Sequence, residues 1–374
     1  MIYLDSAATT LQKPAAVSAA VCRAMGQMAS PGRGSHRPAM YAAETVFRCR
    51  ETAARLFHVA QPENVVFTSS ATHGLNIAIK SAIRPGSSVM ITGYEHNAVT
   101  RPLNAIPNIS VHVAESPLFR PDLLLEHVRE ILRKGVTAAV CTHVSNVFGY
   151  VLPVKEISDL CREYGVLLII DASQSAGCLP VSMKELGAEF IAAPGHKGLY
   201  GPQGTGLLLC AKETVQPLME GGTGSASMIQ TMPDYLPDRL EAGTHNIPGI
   251  AGLLEGLKFV EEKGPECILE HERHLALRAA KKLEQIPGAE VFFTPGLKNQ
   301  TGVISFRIDG VDCETVAEQL GEADIAVRAG LHCAPLAHQS AGTLESGTIR
   351  MSLSAFNTLY DVERFVETML RIIA

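Results

Sequence analysis

The stretch Val166-Leu-Leu-Ile-Ile-Asp-Ala-Ser-Gln174 joins five consecutive apolar residues to an acidic and polar turn. Such a run predicts a strand that is buried on both faces, which is typical of a parallel sheet. Ligands of open parallel sheets bind beyond the carboxyl ends of the strands, so Asp171 and Gln174 are candidates for a binding site. From these residues alone, a simple helix cap at Asp171 stays an equal alternative.

On both sides of this stretch, β-branched runs alternate with helical patterns, which indicates βαβ units. Further strands are predicted at 65–68, 88–92, 109–114, 138–142, 190–193 and 206–210. After Pro248 the pattern changes to two long helices, at 249–263 and 265–286, and then to short strands that include 290–294, 301–308 and 325–328. The sequence therefore predicts an α/β protein with a wide, mainly parallel sheet and a smaller α+β domain.

The composition excludes several classes of function. The 374 residues are 46% hydrophobic and carry a net charge of −6, which predicts a soluble globular protein and no nucleic-acid partner. No signal peptide and no apolar run of roughly 20 residues is present, so a cytoplasmic location and no membrane contact are expected. The nine cysteines form no Cys-x-x-Cys pair, which indicates neither a disulfide framework nor a metal site.

Three more polar turns follow predicted strands. Thr68-Ser-Ser-Ala-Thr72 offers hydroxyl groups and free amides that suit a phosphate, or that merely cap a helix. Glu95-His-Asn97 places a histidine either against an aromatic ligand or at the surface. Pro194-Gly-His-Lys-Gly198 sets Lys197 in a glycine-rich turn, where it faces solvent or forms a Schiff base with a carbonyl cofactor.

Cys333 differs from the cysteines that lie in apolar runs. It follows Arg328-Ala-Gly-Leu-His332 in a loop-like context, whose basic groups favour a reactive thiolate. A structural role stays open from this context alone, because free cysteines are mostly small buried hydrophobes.

Taken in order, these segments resemble the class V aminotransferase family of pyridoxal-phosphate (PLP) enzymes, in its cysteine desulfurase and selenocysteine lyase branch. The resemblance covers almost the whole chain and rests on Tyr3-Leu-Asp-Ser-Ala-Ala-Thr9, His143-Val-Ser-Asn-Val-Phe-Gly149, Asp171-Ala-Ser-Gln174, Gly195-His-Lys197, Glu241-Ala-Gly-Thr244, Arg328-Ala-Gly-Leu-His-Cys333 and Gly347-Thr-Ile-Arg350. It implies the PLP-dependent transferase fold (fold-type I) with a seven-stranded sheet. Residues 15–255 are then expected to form the large PLP-binding domain, and residues 1–14 with 256–374 the small α+β domain that carries the cysteine loop.

The resemblance also implies roles for individual residues. Pyridoxal 5′-phosphate is the expected cofactor, with Lys197 as its Schiff-base lysine, Asp171 at the pyridinium nitrogen and His96 stacked on the ring. The other expected cofactor contacts are Ala71, Thr72, Asn146, Gln174, His196 and Thr244, the last reaching the partner subunit's cofactor in a homodimer. The expected contacts to the substrate are Arg350, which binds the carboxylate, together with Asn146 and Arg328.

The reaction implied by the resemblance is removal of sulfur from cysteine, or of selenium from selenocysteine. It yields alanine and a persulfide, with Cys333 as the nucleophile that takes up the sulfur. The persulfide is then passed to an acceptor protein. The catalytic residues implied by the resemblance are Lys197, Cys333 and His96. A transaminase, an epimerase or a cystine lyase on the same scaffold is the alternative. Cys333 favours sulfur or selenium chemistry, because a transaminase needs no thiol there. A non-catalytic PLP protein is disfavoured by the intact set of Lys197, Asp171 and Arg350.

Three positions depart from the pattern of this branch. Pro194 stands where relatives carry a serine, Gly198 is one residue more than usual after the lysine, and Leu331 replaces a histidine of the cysteine loop. We therefore expect a locally different phosphate site and a differently shaped turn after Lys197.

Overall fold

The structure is a computed structural model that describes residues 1–32, 34–211 and 215–373. Its strands are β1 (Ile2–Tyr3), β2 (Val65–Thr68), β3 (Ser88–Thr92), β4 (Ser110–Ala114), β5 (Ala138–Thr142), β6 (Leu167–Asp171), β7 (Phe190–Pro194), β8 (Gly206–Cys210), β9 (Ala289–Phe292), β10 (Val303–Ile308), β11 (Ile325–Ala326), β12 (Arg328–Gly330) and β13 (Thr348–Ser352). Its helices are α1 (Ala15–Gln27), α2 (Arg37–Leu56), α3 (Ala71–Ala82), α4 (Asn97–Asn104), α5 (Pro121–Leu132), α6 (Val154–Glu163), α7 (Met183–Leu186), α8 (Ile247–Lys263), α9 (Pro265–Leu283), α10 (Cys313–Glu322), α11 (Pro335–Ala341) and α12 (Leu359–Ile373). Short 3₁₀ turns occur at Pro62–Asn64 and Pro295–Leu297.

The large sheet has the order β2-β8-β7-β6-β5-β3-β4 within the described residues. Its pairs from β7 through β6, β5 and β3 to β4 are parallel, whereas β8 runs antiparallel to both β7 and β2. The predicted seven-stranded, mainly parallel sheet is therefore confirmed.

Strand β6, which contains the apolar run quoted first, is buried on both faces. Leu168 and Ile170 belong to the hydrophobic cluster on one face of the sheet, and Ile169 belongs to the cluster on the other face. Alternate side chains thus enter two different cores, as the unbroken apolar run predicts. The carboxyl end of β6 is held between β5 and β7, so Asp171 projects from a fixed point.

The second sheet belongs to the C-terminal part of the chain. It has the antiparallel order β12-β13-β10-β9, and helices α9, α10 and α12 pack on it around their own hydrophobic cluster. Strand β1 pairs in parallel with β11, which attaches the N-terminus to this α+β part. This arrangement fits the smaller predicted domain, whose exact boundaries stay a prediction.

One predicted strand was wrong. The run 325–328 was expected to be a single strand, but the structure divides it into β11, which pairs with β1, and β12, which pairs with β13. The predicted helix bounds differ by a few residues at the ends, for example 265–286 against Pro265–Leu283.

Among the described residues, none of the helices combines the length and the apolar character that crossing a bilayer requires.

Candidate active site

A cavity lies where the carboxyl ends of β5, β6 and β7 meet the N-terminal ends of α3 and α4. Most of the predicted cofactor contacts line it: Ala71, Thr72, His96, Asn146, Asp171, Gln174, His196 and Lys197. These residues come from five separate segments of the chain, and the parallel strands bring them to one edge of the sheet.

Asp171 forms the buried acidic end of this cavity. It is the last residue of β6 and only 2% exposed. Its Oδ1 accepts a hydrogen bond from the amide of Ser173 at 2.9 Å. A carboxylate buried at this depth suits a cationic partner inside the cavity, since an unpaired buried charge is costly.

Lys197 lies in the turn that follows β7. Burial lowers the pKa of its amine to about 8, although the negative charge of Asp171 acts in the opposite direction. The extra Gly198 has a steric purpose, because a Cβ at this position would lie 2.4 Å from the carbonyl oxygen of Ala176. The backbone of this turn thus approaches its neighbour so closely that a side chain at Gly198 would prevent the contact, and a turn shaped differently from that of relatives stays a prediction.

His96 caps helix α4 and faces the same cavity. Its Nδ1 accepts a hydrogen bond from the amide of Ala98 at 3.0 Å. Burial lowers the pKa of the His96 ring, with a smaller opposing effect from Asp171. A neutral, fixed imidazole is suited to lie against an aromatic ring.

Glu95 is a residue whose importance the sequence analysis missed. It is fully buried, and its Oε1 accepts hydrogen bonds from Thr92 Oγ1 at 2.7 Å and from the Thr142 amide at 2.9 Å. Burial raises the pKa of this carboxyl to about 8. The side chain ties the carboxyl ends of β3 and β5 together beneath His96. An acidic residue directly after a buried strand was the available signal.

The opposite end of the cavity is built from helix α3. Ser70 caps this helix by accepting a hydrogen bond from the His73 amide at 3.2 Å, and Ala71 and Thr72 line the cavity behind it. His196 is held at 3.0 Å from Thr9 Oγ1, and burial lowers its pKa to about 4, so its ring is neutral at physiological pH. Pro194 also lines the cavity, where it offers neither a hydroxyl nor an N–H group.

Arg350 lies beside the cavity rather than in its lining. It is 2% exposed on β13, and Arg328 stands opposite it in register on β12. Its Nη1 donates to the carbonyl of Asn146 at 2.8 Å, and its Nη2 donates to Asp5 Oδ1 at 2.7 Å. The partner Asp5 lies in the N-terminal segment Tyr3-Leu-Asp-Ser-Ala-Ala-Thr9, where no local pattern indicates a contact to Arg350.

Cys333 is exposed on the loop after β12. Its carbonyl accepts a hydrogen bond at 2.8 Å from the amide of Asn97. Asn97 directly follows His96 in the sequence. The preceding carbonyl, of His332, accepts from Asn146 Nδ2 at 2.8 Å. His332 and Cys333 both have positive φ, +49° and +57°, a conformation that persists in non-glycine residues where surrounding contacts enforce it.

Thr244 is the predicted cofactor contact that the structure does not bring to this cavity. It is exposed and lines a separate cavity with Ser69 and His73. Within one chain, therefore, Thr244 and Lys197 line different cavities.

The donor set of the main cavity fits PLP. A buried carboxylate stands where a pyridinium nitrogen needs an anion, a lysine is available for a covalent link, and a helix N-terminus provides amides for a phosphate. The comparison with known proteins agrees with this donor set, because the family model for class-V aminotransferases matches residues 2–365. The chain belongs to the class-V aminotransferase family. Enzymes of this family depend on PLP.

Individual relatives carry a more specific name. A probable cysteine desulfurase of Methanothermobacter thermautotrophicus is 32% identical over 98% of this chain and 94% of its own length. A probable cysteine desulfurase of Mycolicibacterium paratuberculosis is 32% identical, and this chain spans only 55% of that relative's length. A solved apo structure of a cysteine desulfurase from Thermococcus onnurineus superposes with a TM-score of 0.91 at 30% identity, covering all of this chain and 94% of that chain.

Proposed function

We propose that this enzyme removes sulfur from L-cysteine, giving L-alanine and a persulfide on Cys333. The observation that carries the proposal is the position of Cys333. Its exposed thiol sits on a loop that is hydrogen-bonded to Asn97 and Asn146, at the edge of the cavity that contains Lys197 and Asp171. The names of the relatives support the same reaction.

The proposed roles follow from the contacts. Lys197 would hold PLP covalently and Asp171 would pair with its ring nitrogen. His96 would support the ring, and the N-terminal end of α3 with His196 would bind the phosphate. When bound, this cofactor supplies an electron sink for bond changes at the substrate's α-carbon. Gln174 lines the cavity and is held by a hydrogen bond from its Nε2 to the carbonyl of Ala7 at 3.0 Å.

The residues of the chain can carry the proton and sulfur transfers. With a pKa of about 8, Lys197 Nζ can accept the substrate's α-proton near neutral pH and return it later. Arg350 binds the α-carboxylate. In the net reaction, the bond between the substrate's β-carbon and sulfur breaks and a bond from that sulfur to Cys333 Sγ forms. The hydrogens of the two thiols are retained, one in alanine and one in the persulfide, so the reaction requires no external oxidant.

A cysteine assay tests this function. Purified holoenzyme incubated with L-cysteine is expected to form alanine, and mass spectrometry is expected to map the persulfide to Cys333. Cys333→Ser should lose nearly all cysteine turnover, because the sulfur acceptor is missing. Cys267→Ser is the matched control, since Cys267 is also exposed and free, and it should keep native activity. Undiminished cysteine turnover by Cys333→Ser would contradict the proposal.

Two finer features are also part of the proposal. The Cys333 persulfide passes its sulfur to an acceptor protein, which the exposure of Cys333 and of neighbouring Leu331 permits. The enzyme works as a homodimer, which is supported by the separation of Thr244 from the cavity of its own chain.

A further inference from the structure

The ion pair between Asp5 and Arg350 is fixed by the backbone. Asp5 forms a β-bridge with Ser352, two residues beyond Arg350, and the flanking Ser352 amide donates to the carbonyl of Leu4 at 2.7 Å. The Ala7 amide donates to Ser352 Oγ at 2.9 Å. The backbone of Asp5 is therefore held beside Arg350, and its carboxylate can move away only by rotation of the side chain.

Asp5 neutralises Arg350 before any substrate arrives. The side chain of Arg350 is 2% exposed and that of Asp5 is 18% exposed, so the pair is screened little by solvent. Asp5 is the only carboxylate within ion-pair distance of Arg350 among the described residues. A buried guanidinium without such a partner would be strongly unfavourable, which explains why the pair forms.

Arg350 nevertheless keeps a free donor. A guanidinium has five N–H groups, and the described contacts use one on Nη1 for Asn146 and one on Nη2 for Asp5. The buried Nε has no partner among the described residues. Nε and Nη2 form the side of the guanidinium that binds a carboxylate with two parallel hydrogen bonds. Asp5 thus occupies one of the two positions that such a carboxylate needs.

We propose that Asp5 is a specificity-determining residue that acts as an internal competitor for Arg350. Its carboxylate leaves Nη2 when the α-carboxylate of an amino acid binds. A ligand that offers only one carboxylate gains little by replacing Asp5, whereas an amino acid also binds through its amino group. Simple carboxylates are excluded. This inference rests on the proposed role of Arg350 in carboxylate binding, but not on the sulfur chemistry.

Binding of L-alanine to the holoenzyme tests the inference, because it needs no turnover of cysteine. Asp5→Asn removes the competing charge but keeps an oxygen that can accept from Nη2. For Asp5→Asn, isothermal titration calorimetry should give a dissociation constant for L-alanine about tenfold lower than for the native protein. A change of this size is usual where one group changes the affinity of another for its ligand. Acetate should show no measurable binding to the native protein and should bind to Asp5→Asn.

Asp159→Asn is the matched control, since it removes the same charge from an exposed ion pair on α6 and should leave alanine binding unchanged. Circular dichroism checks folding, and Asp5→Ser carries the same test if Asp5→Asn does not fold. Unchanged or weaker alanine binding by the Asp5 variant, or equal tightening by Asp159→Asn, would overturn the inference. Unchanged alanine binding by Arg350→Ala would refute the carboxylate site itself, while a failed cysteine assay would refute only the proposed desulfurase reaction.

Discussion

Lys197 has an amine whose protonation can be followed by experiment. Burial lowers its pKa to about 8, against an ordinary lysine pKa of about 10.4. Below pH 8 the amine is mostly charged and cannot attack an aldehyde. Above pH 8 it is mostly neutral, so covalent attachment of PLP to the apo-protein should accelerate as pH rises and level off by about pH 9.

Absorbance after mixing apo-protein with PLP, at pH values from 6 to 10, measures this dependence. The rate should rise roughly tenfold per pH unit well below the pKa and stay flat above it. Lys197→Ala should show no covalent attachment, which borohydride reduction followed by mass spectrometry verifies. A rate that still climbs steeply between pH 9 and 10 would show that the cavity does not lower the lysine pKa.

Single residues of the site differ in how far the sequence predicts them. Asp171, Lys197 and His96 could be predicted as candidates because each lies at or just beyond the end of a strand, and the strand pattern is local. Asp5 and Glu95 could not be assigned partners in this way. Asp5 contacts Arg350, which is 345 positions away, and Glu95 contacts the Thr142 amide across 47 positions. Only the folded chain shows such pairs, because no short-range pattern encodes them.

At the scale of elements, helix α9 carries a buried carboxyl with a predictable effect on stability. Glu272 is 8% exposed, and α9 packs so closely that a Cβ on Gly302 would lie 2.6 Å from Glu272 Cβ. Burial raises its pKa to about 8, while the unfolded chain has a value near 4.3. Between about pH 4.3 and pH 8, the Glu272 carboxyl carries a proton in the folded state and has lost it in the unfolded chain. The contribution of Glu272 to stability is therefore full below about pH 4 and is lost as the pH rises to 8.

Glu272→Gln should remove this dependence, because the amide stays neutral. The native protein loses stability as the pH rises and the variant does not. The difference in unfolding free energy, variant minus native, should therefore rise by on the order of 3 kcal/mol from pH 5 to pH 8. Urea unfolding at both pH values measures the difference. Glu270→Gln, an exposed position on the same helix, is the control and should show no such gain. An identical pH dependence for Glu272→Gln and the native protein would contradict the raised pKa.

Elements were predictable where their signal is contained in a short window. The amphipathic closing helix was predicted at the bounds that α12 has, and the apolar run of β6 was off by one residue. The division between β11 and β12 was missed because it depends on two partners, β1 from the N-terminus and β13 from the C-terminal part. Propensity alone favours one continuous strand there.

At the scale of the whole molecule, the proposed homodimer gives Thr244 a function. Thr244 lines a different cavity from Lys197, and in the proposed homodimer it contacts the cofactor of the partner subunit. The segment before it exposes large apolar side chains, with Met228 96% and Ile229 59% exposed. Large exposed apolar side chains are typical of a surface that is covered in an assembly.

Met228→Asp should therefore weaken the dimer at least about tenfold, because the new carboxylate would be buried against the partner. It should also weaken PLP binding, since the Thr244 contact is lost with the interface. Sedimentation equilibrium measures the first effect and fluorescence titration of apo-protein with PLP the second. Leu359→Asp, at an exposed position on α12, is the control and should stay dimeric. If Met228→Asp remains a dimer with native PLP affinity, this segment does not form the interface and Thr244 needs another explanation.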